Sequence, residues 1–360
     1  MENEISNEYI ENAIVELEQY FGVKEPVNDE PIYLLIRNNE IKGAMKLIAN
    51  QLGLPIGINI TNIPNDYTAQ NSNTQFHSTH LAKVHQYGSG SEGITAQVTI
   101  PPSLPLFGSS ALKNYPINVK ISENSTDSPV TFSLIMAHEL SHVLLYSMKH
   151  PKKENEFYTD LTAILLGFIN IFKNGRKIVK TEVDDDYSTT TTRTKTTTFG
   201  YLDDDQFEFA YEKVNTILDD KRSVKESLLK ESKNFGKIFL KYQKGFNRFR
   251  KYVVYLTKHT NKKISEKDGQ KMTEFFQLGY MEKFDKVLIQ YENHQSEIEN
   301  FLTGLSHYSK IRMEKISNHL SELENASKIL YNNLAHLKKQ IRMMRKYVSI
   351  WYRLKITLFL

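Results

Sequence analysis

Apolar residues near the start of the chain return every three or four positions. Ile10, Ile14, Leu17 and Phe21 fall on one helical face, and Leu34, Leu35, Ala44, Leu47, Ile48 and Leu52 on another, with Gly53 placed as a stop. The spacing predicts two packed helices, over 8–21 and 34–52. Up to about residue 127 the texture then changes to short β-rich pieces, 56–61, 94–100 and 117–121, separated by Gly, Pro, Asn and Ser. These predict a small sheet. Ser128-Pro129 is an N-cap followed by proline at the first helical position, and it opens an apolar helix expected to reach about Met148. A second buried helix is expected over Glu156 to Phe172.

Thr181 to Phe199 is acidic and then threonine-rich, a composition that builds no core and predicts a mobile loop or an exposed hairpin. No proline follows Asp203, and helical periodicity runs to the end. Phe284, Leu288, Tyr291, Ile298, Leu302 and Leu305 form one apolar run; Leu330, Leu334, Leu337, Ile341, Met344, Val348 and Trp351 form another. With Gly304 between them, they read as an antiparallel helical hairpin. The pattern as a whole is α+β, with residues 1–212 as one domain and 213–360 as an all-α, coiled-coil-like second one.

The chain of 360 residues has no cysteine, which excludes disulfides, thiolate metal sites and a cysteine nucleophile. Any metal must sit on His, Asp or Glu. At 40% hydrophobic and 24% charged residues the composition is that of a folded globular protein, and a net charge of +4 argues weakly for a polyanionic partner. The opening Met1 to Ser6 has no basic segment followed by an apolar one, so a cytoplasmic location is the expectation. The last residues, Tyr347 to Leu360, are apolar enough to dock but too few to span a bilayer.

Within the apolar helix lies His138-Glu139-Leu-Ser-His142, a His-Glu-x-x-His pattern. On a helix, positions i and i+4 share a face, so two imidazoles can bind one ion while the neighbouring glutamate reaches a metal-bound water. A catalytic zinc needs a third protein ligand and an open position. Glu156, on the next helix, is the candidate. Asp160, one turn later, is placed to accept from the outer nitrogen of His138 and fix its tautomer. The alternative is a helix whose two histidines are buried and hydrogen-bonded, with Glu156 and Asp160 as solvated charges.

With Asn155, Glu156 and Asp160 completing an Asn-Glu-x-x-x-Asp pattern, the chain resembles the gluzincin metallopeptidases, the thermolysin-like class. The likeness covers about residues 90–212, and the spacing between the two helices is shorter than in thermolysin itself. It implies a zincin-like domain in which His138, His142 and Glu156 hold Zn2+, Glu139 is the general base and Asp160 orients a ligand. The substrate would be a protein or peptide. The class also supplies an oxyanion donor from outside the motif; Tyr201 is the first candidate and Tyr158 the second. His77, His80 and His85 are further candidates, with a surface role expected for all three. The resemblance implies, too, an edge strand that binds substrate backbone, here assigned to Gly93 to Ile100. Leu161 to Phe168 and Phe199-Gly-Tyr-Leu202 also look like an uncharacterised bacterial group with the same zinc motif.

In the helical half, residues 241–252 and 338–346 interleave Lys and Arg with aromatic or apolar residues. Such stretches bind nucleic acid or an anionic membrane surface, or else they are a core seam with a solvated basic face. Two functions stand at this point. One is an intracellular zinc endopeptidase, in bacterial regulation, stress or phage defence, whose helical half recognises a protein partner. The other is an interaction or nucleic-acid-binding helical protein with a structural zinc site.

Overall fold

The computed structural model describes residues 6–64, 67, 75–86, 89–186, 189–259, 264–277 and 310–350, with isolated positions between 279 and 300 and at 352–353. The chain divides into two compact units, one reaching Leu218 and the other starting at Asp219.

The first unit is α+β. Helix α1 (Asn7–Phe21) starts where the Ser6 hydroxyl accepts the Tyr9 amide, at 3.2 Å. The helix expected over 34–52 is two, α2 (Glu30–Arg37) and α3 (Ile41–Gln51). The reason is Asn39, whose left-handed φ of 61° ends α2 while the Glu40 amide closes back on the Leu35 carbonyl at 2.7 Å.

Among the described residues six strands follow in one mixed sheet: β1 (Gly57–Ile63), β2 (Phe76–Gln86), β3 (Ser89–Ile100), β4 (Pro116–Ser122), β5 (Lys177–Asp186) and β6 (Thr189–Thr198). Their spatial order is β1-β4-β3-β2-β6-β5, with β1 and β4 parallel and every other pair antiparallel. Ile58, Ile117, Val119, Ile121, Ala96, Val98 and Ile100 carry its apolar inner face. The acidic, threonine-rich stretch forms the β5–β6 hairpin. It joins the rest of the sheet over a short length, because β6 pairs with β2 only from Lys83↔Thr198 to Gln86↔Lys195.

Helix α4 (Pro129–Ser147) lies under the sheet, capped by the Ser128 hydroxyl on the Thr131 amide. Every residue from Thr131 to Leu145 is buried, which explains its lack of a polar face. The second buried helix is broken into α5 (Glu156–Ala163), a π turn (Ile164–Phe168) and α6 (Ile169–Gly175). At Gly167 φ is 103°, and the chain at Lys24 and Val27 donates to the carbonyls of Leu165 and Gly167 at 2.8 and 2.9 Å. The π turn thus provides an edge on which that segment seats.

The boundary between the units falls within α7 (Asp204–Lys258); α8 (Glu266–Gln277) and α9 (Lys310–Met344) belong to the second unit. Its core joins Phe235, Phe239, Tyr242, Phe246, Phe249 and Tyr252 of α7 to Leu330, Leu334, Leu337 and Met344 of α9. Gly245 admits Leu337, and Tyr255 stacks on Tyr352 at 4.4 Å, so contacts advance in the same direction along both segments. The interleaved aromatics of 241–252 are therefore core, while Lys241, Lys244 and Arg250 face outward. The run from Phe284 to Leu305, Gly304, Trp351 and residues 354–360 lie outside the described residues. Among the described residues no helix is long and apolar enough to cross a membrane.

Candidate metal centre

Helix α4 presents His138, Glu139 and His142, all with no exposed surface, and α5 begins with Glu156 directly after its cap. That cap is Asn155, whose Oδ1 accepts the Tyr158 amide at 3.1 Å while its Nδ2 donates to the Tyr9 hydroxyl at 3.2 Å. The start of α5 is thereby fixed against α1.

Nε2 of His138 and Nε2 of His142 each lie 3.0 Å from Oε2 of Glu156. The three ligand atoms sit within 4.8 Å of one another, a group that could hold a metal ion. The outer nitrogens are engaged elsewhere. His138 Nδ1 donates to Asp160 Oδ1 at 2.7 Å, and His142 Nδ1 to the Lys153 carbonyl at 3.2 Å. Both imidazoles thus turn Nε2 towards Glu156, the arrangement that outer partners impose on metal-ligating histidines.

Asp160, 1% exposed, does more than hold His138. Its Oδ2 accepts the amides of Tyr201 at 2.7 Å and Leu202 at 3.3 Å. Just before them Gly200 adopts φ 88°, and a Cβ there would lie 3.2 Å from Asp160 Oδ2. The Gly-Tyr-Leu turn is consequently locked to the same carboxylate as the histidine.

Burial opposes a charge on His138, but hydrogen bonds and charge from Asp160 and Glu156 outweigh it and push its pKa up to about 10. Burial likewise opposes ionisation of Glu156, and the two imidazoles overcome it, holding the carboxyl well below its usual range. Glu139 goes the other way. Burial pushes its pKa up against the pull of His138, His142 and the Ser78 hydroxyl, which donates to Oε2. Its Oε1 has no hydrogen-bond partner among the described residues.

No protein-family model, curated protein or solved structure matches the chain.

The structure brings His138, His142, Glu156, Glu139, Asp160 and Tyr201 together. The Tyr201 ring stacks on His138, centroids 5.2 Å apart, and its hydroxyl donates to the Thr79 carbonyl at 3.0 Å. Tyr158 is not part of the site: its hydroxyl donates to Glu16 Oε2 at 2.7 Å, on α1. His85 is exposed and His77 is half-buried against Thr99, but the surface role expected of His80 is wrong, for it is wholly buried. The edge assignment needs correction in part: Ala96 to Thr99 of β3 pairs with β2 on one side and β4 on the other and offers no edge, while Gly93 and Ile94 pair with β2 alone. Among the described residues, Phe76 to Ala82 of β2 also has no strand on the side that β6 takes from Lys83 onward.

Strand β2 is what the sequence reading missed. Its inward residues follow α4 in succession: Phe76 lies against His142 at 5.6 Å, Ser78 on Glu139, and His80 edge-on to His138 at 5.1 Å. The available signal was the alternation Phe-His-Ser-Thr-His, period two but with polar residues on the buried face.

Proposed function

We propose that the chain is a zinc-dependent metallopeptidase of zincin-like architecture. The observation that carries this is the convergence of two helix-borne imidazoles and Glu156 beside a buried glutamate with one carboxylate oxygen unengaged. Two nitrogens and a carboxylate oxygen, with outer nitrogens held by Asp160 and a carbonyl, suit Zn2+. When bound, zinc supplies a water with its pKa lowered to roughly 7 and a Lewis acid for the peptide carbonyl.

The chain's own residues supply the rest. Glu139, its pKa raised by burial, takes a proton on Oε1 and returns it to the leaving amine. Of the four nearest carboxylate and imidazole groups, only the Glu156 side chain is open to solvent, at 29% exposure, so an entering peptide meets the site from that side. The edge of β2 from Phe76 to Ala82, unpaired among the described residues, pairs with the substrate backbone, and Tyr201 stands at that edge as a donor for the oxyanion.

A reading based on stacking nucleic-acid bases loses its support, since the interleaved aromatics Tyr242, Phe246, Phe249 and Tyr252 are core. The test is metal content and cleavage of fluorescein-labelled casein by the wild type, His142→Ala, Glu156→Ala and Glu139→Gln. Zinc is expected in the wild type and Glu139→Gln and lost in the other two, with cleavage confined to the wild type. Folded wild-type protein that binds no zinc would overturn the reading.

A further inference from the structure

We propose that His80 is a fourth nitrogen donor to the metal centre formed by His138, His142 and Glu156. The inference rests on that centre holding a metal, and it adds a ligand from the sheet to those from the two helices.

His80 stands on the inward row of β2, one step beyond the serine that holds Glu139, and has no exposed surface. The β2–β3 register passes from His80↔Ala96 to Leu81↔Ile94, leaving Thr95 as the extra residue of a bulge. Thr95 Oγ1 donates its single proton to the His80 carbonyl at 3.1 Å. With that proton on the carbonyl it accepts from His80 Nδ1, 2.9 Å away, and the lone pair of the imidazole lies on Nε2.

Nε2 is buried and has no hydrogen-bond partner among the described residues. An orphaned buried nitrogen calls for an explanation, and an ion is one of few that fit. The ring is edge-on to His138, at 80° and 5.1 Å between centroids. Its outer nitrogen is anchored and its inner one bare, which is the preparation that His138 and His142 receive from Asp160 and the Lys153 carbonyl.

His80 lies outside the group whose ligand atoms are within 4.8 Å of one another, so joining it requires the imidazole to move in. The bulge at Thr95 is where β2 and β3 depart from regular pairing. His80 would add a fourth protein donor to the three, and the position for the water that the proposed peptidase uses is open whenever His80 is not engaged.

The experiment titrates metal-free protein with Zn2+ against a chromophoric chelator, for the wild type, His80→Ala, Thr95→Val and His142→Ala. His80→Ala is expected to bind about 10-fold more weakly or worse, and Thr95→Val, which keeps the imidazole but releases its tautomer, to fall between it and the wild type. Cobalt-loaded wild type and His80→Ala should differ in their visible bands, as loss of a nitrogen donor requires. If His80→Ala does not fold, Thr95→Val decides alone: affinity equal to the wild type overturns the proposal. Equal affinity and equal cobalt spectra in His80→Ala, with binding lost in His142→Ala, overturn the fourth donor and leave the three-ligand centre standing. A wild type that takes no Zn2+ removes both.

Discussion

The Ser78 hydroxyl donates to Glu139 Oε2, joining a strand of the sheet to the central helix through the one carboxylate that the proposed chemistry needs as a base. Ser78 Oγ in turn accepts the Val98 amide at 3.3 Å, so its orientation is set by β3. Replacing Ser78 by Ala leaves a fully buried carboxylate without a hydrogen bond. We expect a loss of roughly 1–3 kcal/mol in denaturant unfolding of the metal-free protein. In a Glu139→Ala background the same replacement should cost less than half as much. Equal costs in both backgrounds would mean that the contact does not stabilise the fold.

Asp160 serves one imidazole and two amides at once. Asn in its place keeps one acceptor oxygen but turns an NH2 group towards donors. Asp160→Asn should therefore weaken Zn2+ binding by about 10- to 100-fold, the usual effect of removing an outer partner. Competition with a chelator reads this directly, and unchanged affinity would show that His138 keeps its orientation without the carboxylate.

How far the site could be read beforehand depended on the kind of pattern each part leaves. His138, Glu139, His142, Glu156 and Asp160 lie on two successive helices, where a fixed residue spacing fixes a shared face, so sequence alone brought them together. Ser78 and His80 lie on a strand whose buried face is polar, and no apolar alternation marks it. The break at Asn39 and the π turn at Gly167 were invisible for a related reason. Each is decided by a single residue with positive φ inside an otherwise helical pattern, and at Gly167 by a contact with residues 24–27, far away in sequence.

Gly167 gives a direct test of that contact. A Cβ there would stand 2.6 Å from the Glu25 carbonyl oxygen, at a φ of 103° that L side chains rarely adopt. Gly167→Ala should destabilise the protein by more than the roughly 1 kcal/mol typical of a substitution, because strain and a backbone clash add. Thermal unfolding measures it, and a change within about 0.5 kcal/mol, the range of a neutral surface substitution, would mean that the 24–27 segment detaches freely.

His150 predicts part of the acid sensitivity. It is buried beside Glu16, 3.5 Å away, and burial holds its pKa below the ordinary 6.5 in spite of that carboxylate. Below pH 6.5 the unfolded chain takes up a proton that the folded protein still refuses, so the unfolded state binds more protons and stability falls as the pH falls. Above that value His150 contributes no slope. His150→Gln should therefore lose less stability than the wild type between about pH 7 and 5.5, compared by urea unfolding at each pH. Parallel curves would assign the acid sensitivity to other groups.

Tyr201 separates binding from chemistry in the proposed peptidase. Its hydroxyl now occupies the Thr79 carbonyl, an acceptor on the edge of β2 that β6 leaves uncovered. A peptide that pairs along this edge needs that carbonyl, so it must displace the hydroxyl, and the displaced hydroxyl becomes free to donate to the oxyanion. Tyr201→Phe leaves the ring to stack on His138 and opens the Thr79 carbonyl in advance. With casein as substrate, kcat should fall by about 100-fold or more, as it does when an oxyanion donor is removed, while KM stays level or drops. A tyrosine that only supports the fold would leave kcat nearly intact and shift the melting temperature instead. The two outcomes separate cleanly because the variant removes one oxygen atom and keeps the aromatic packing.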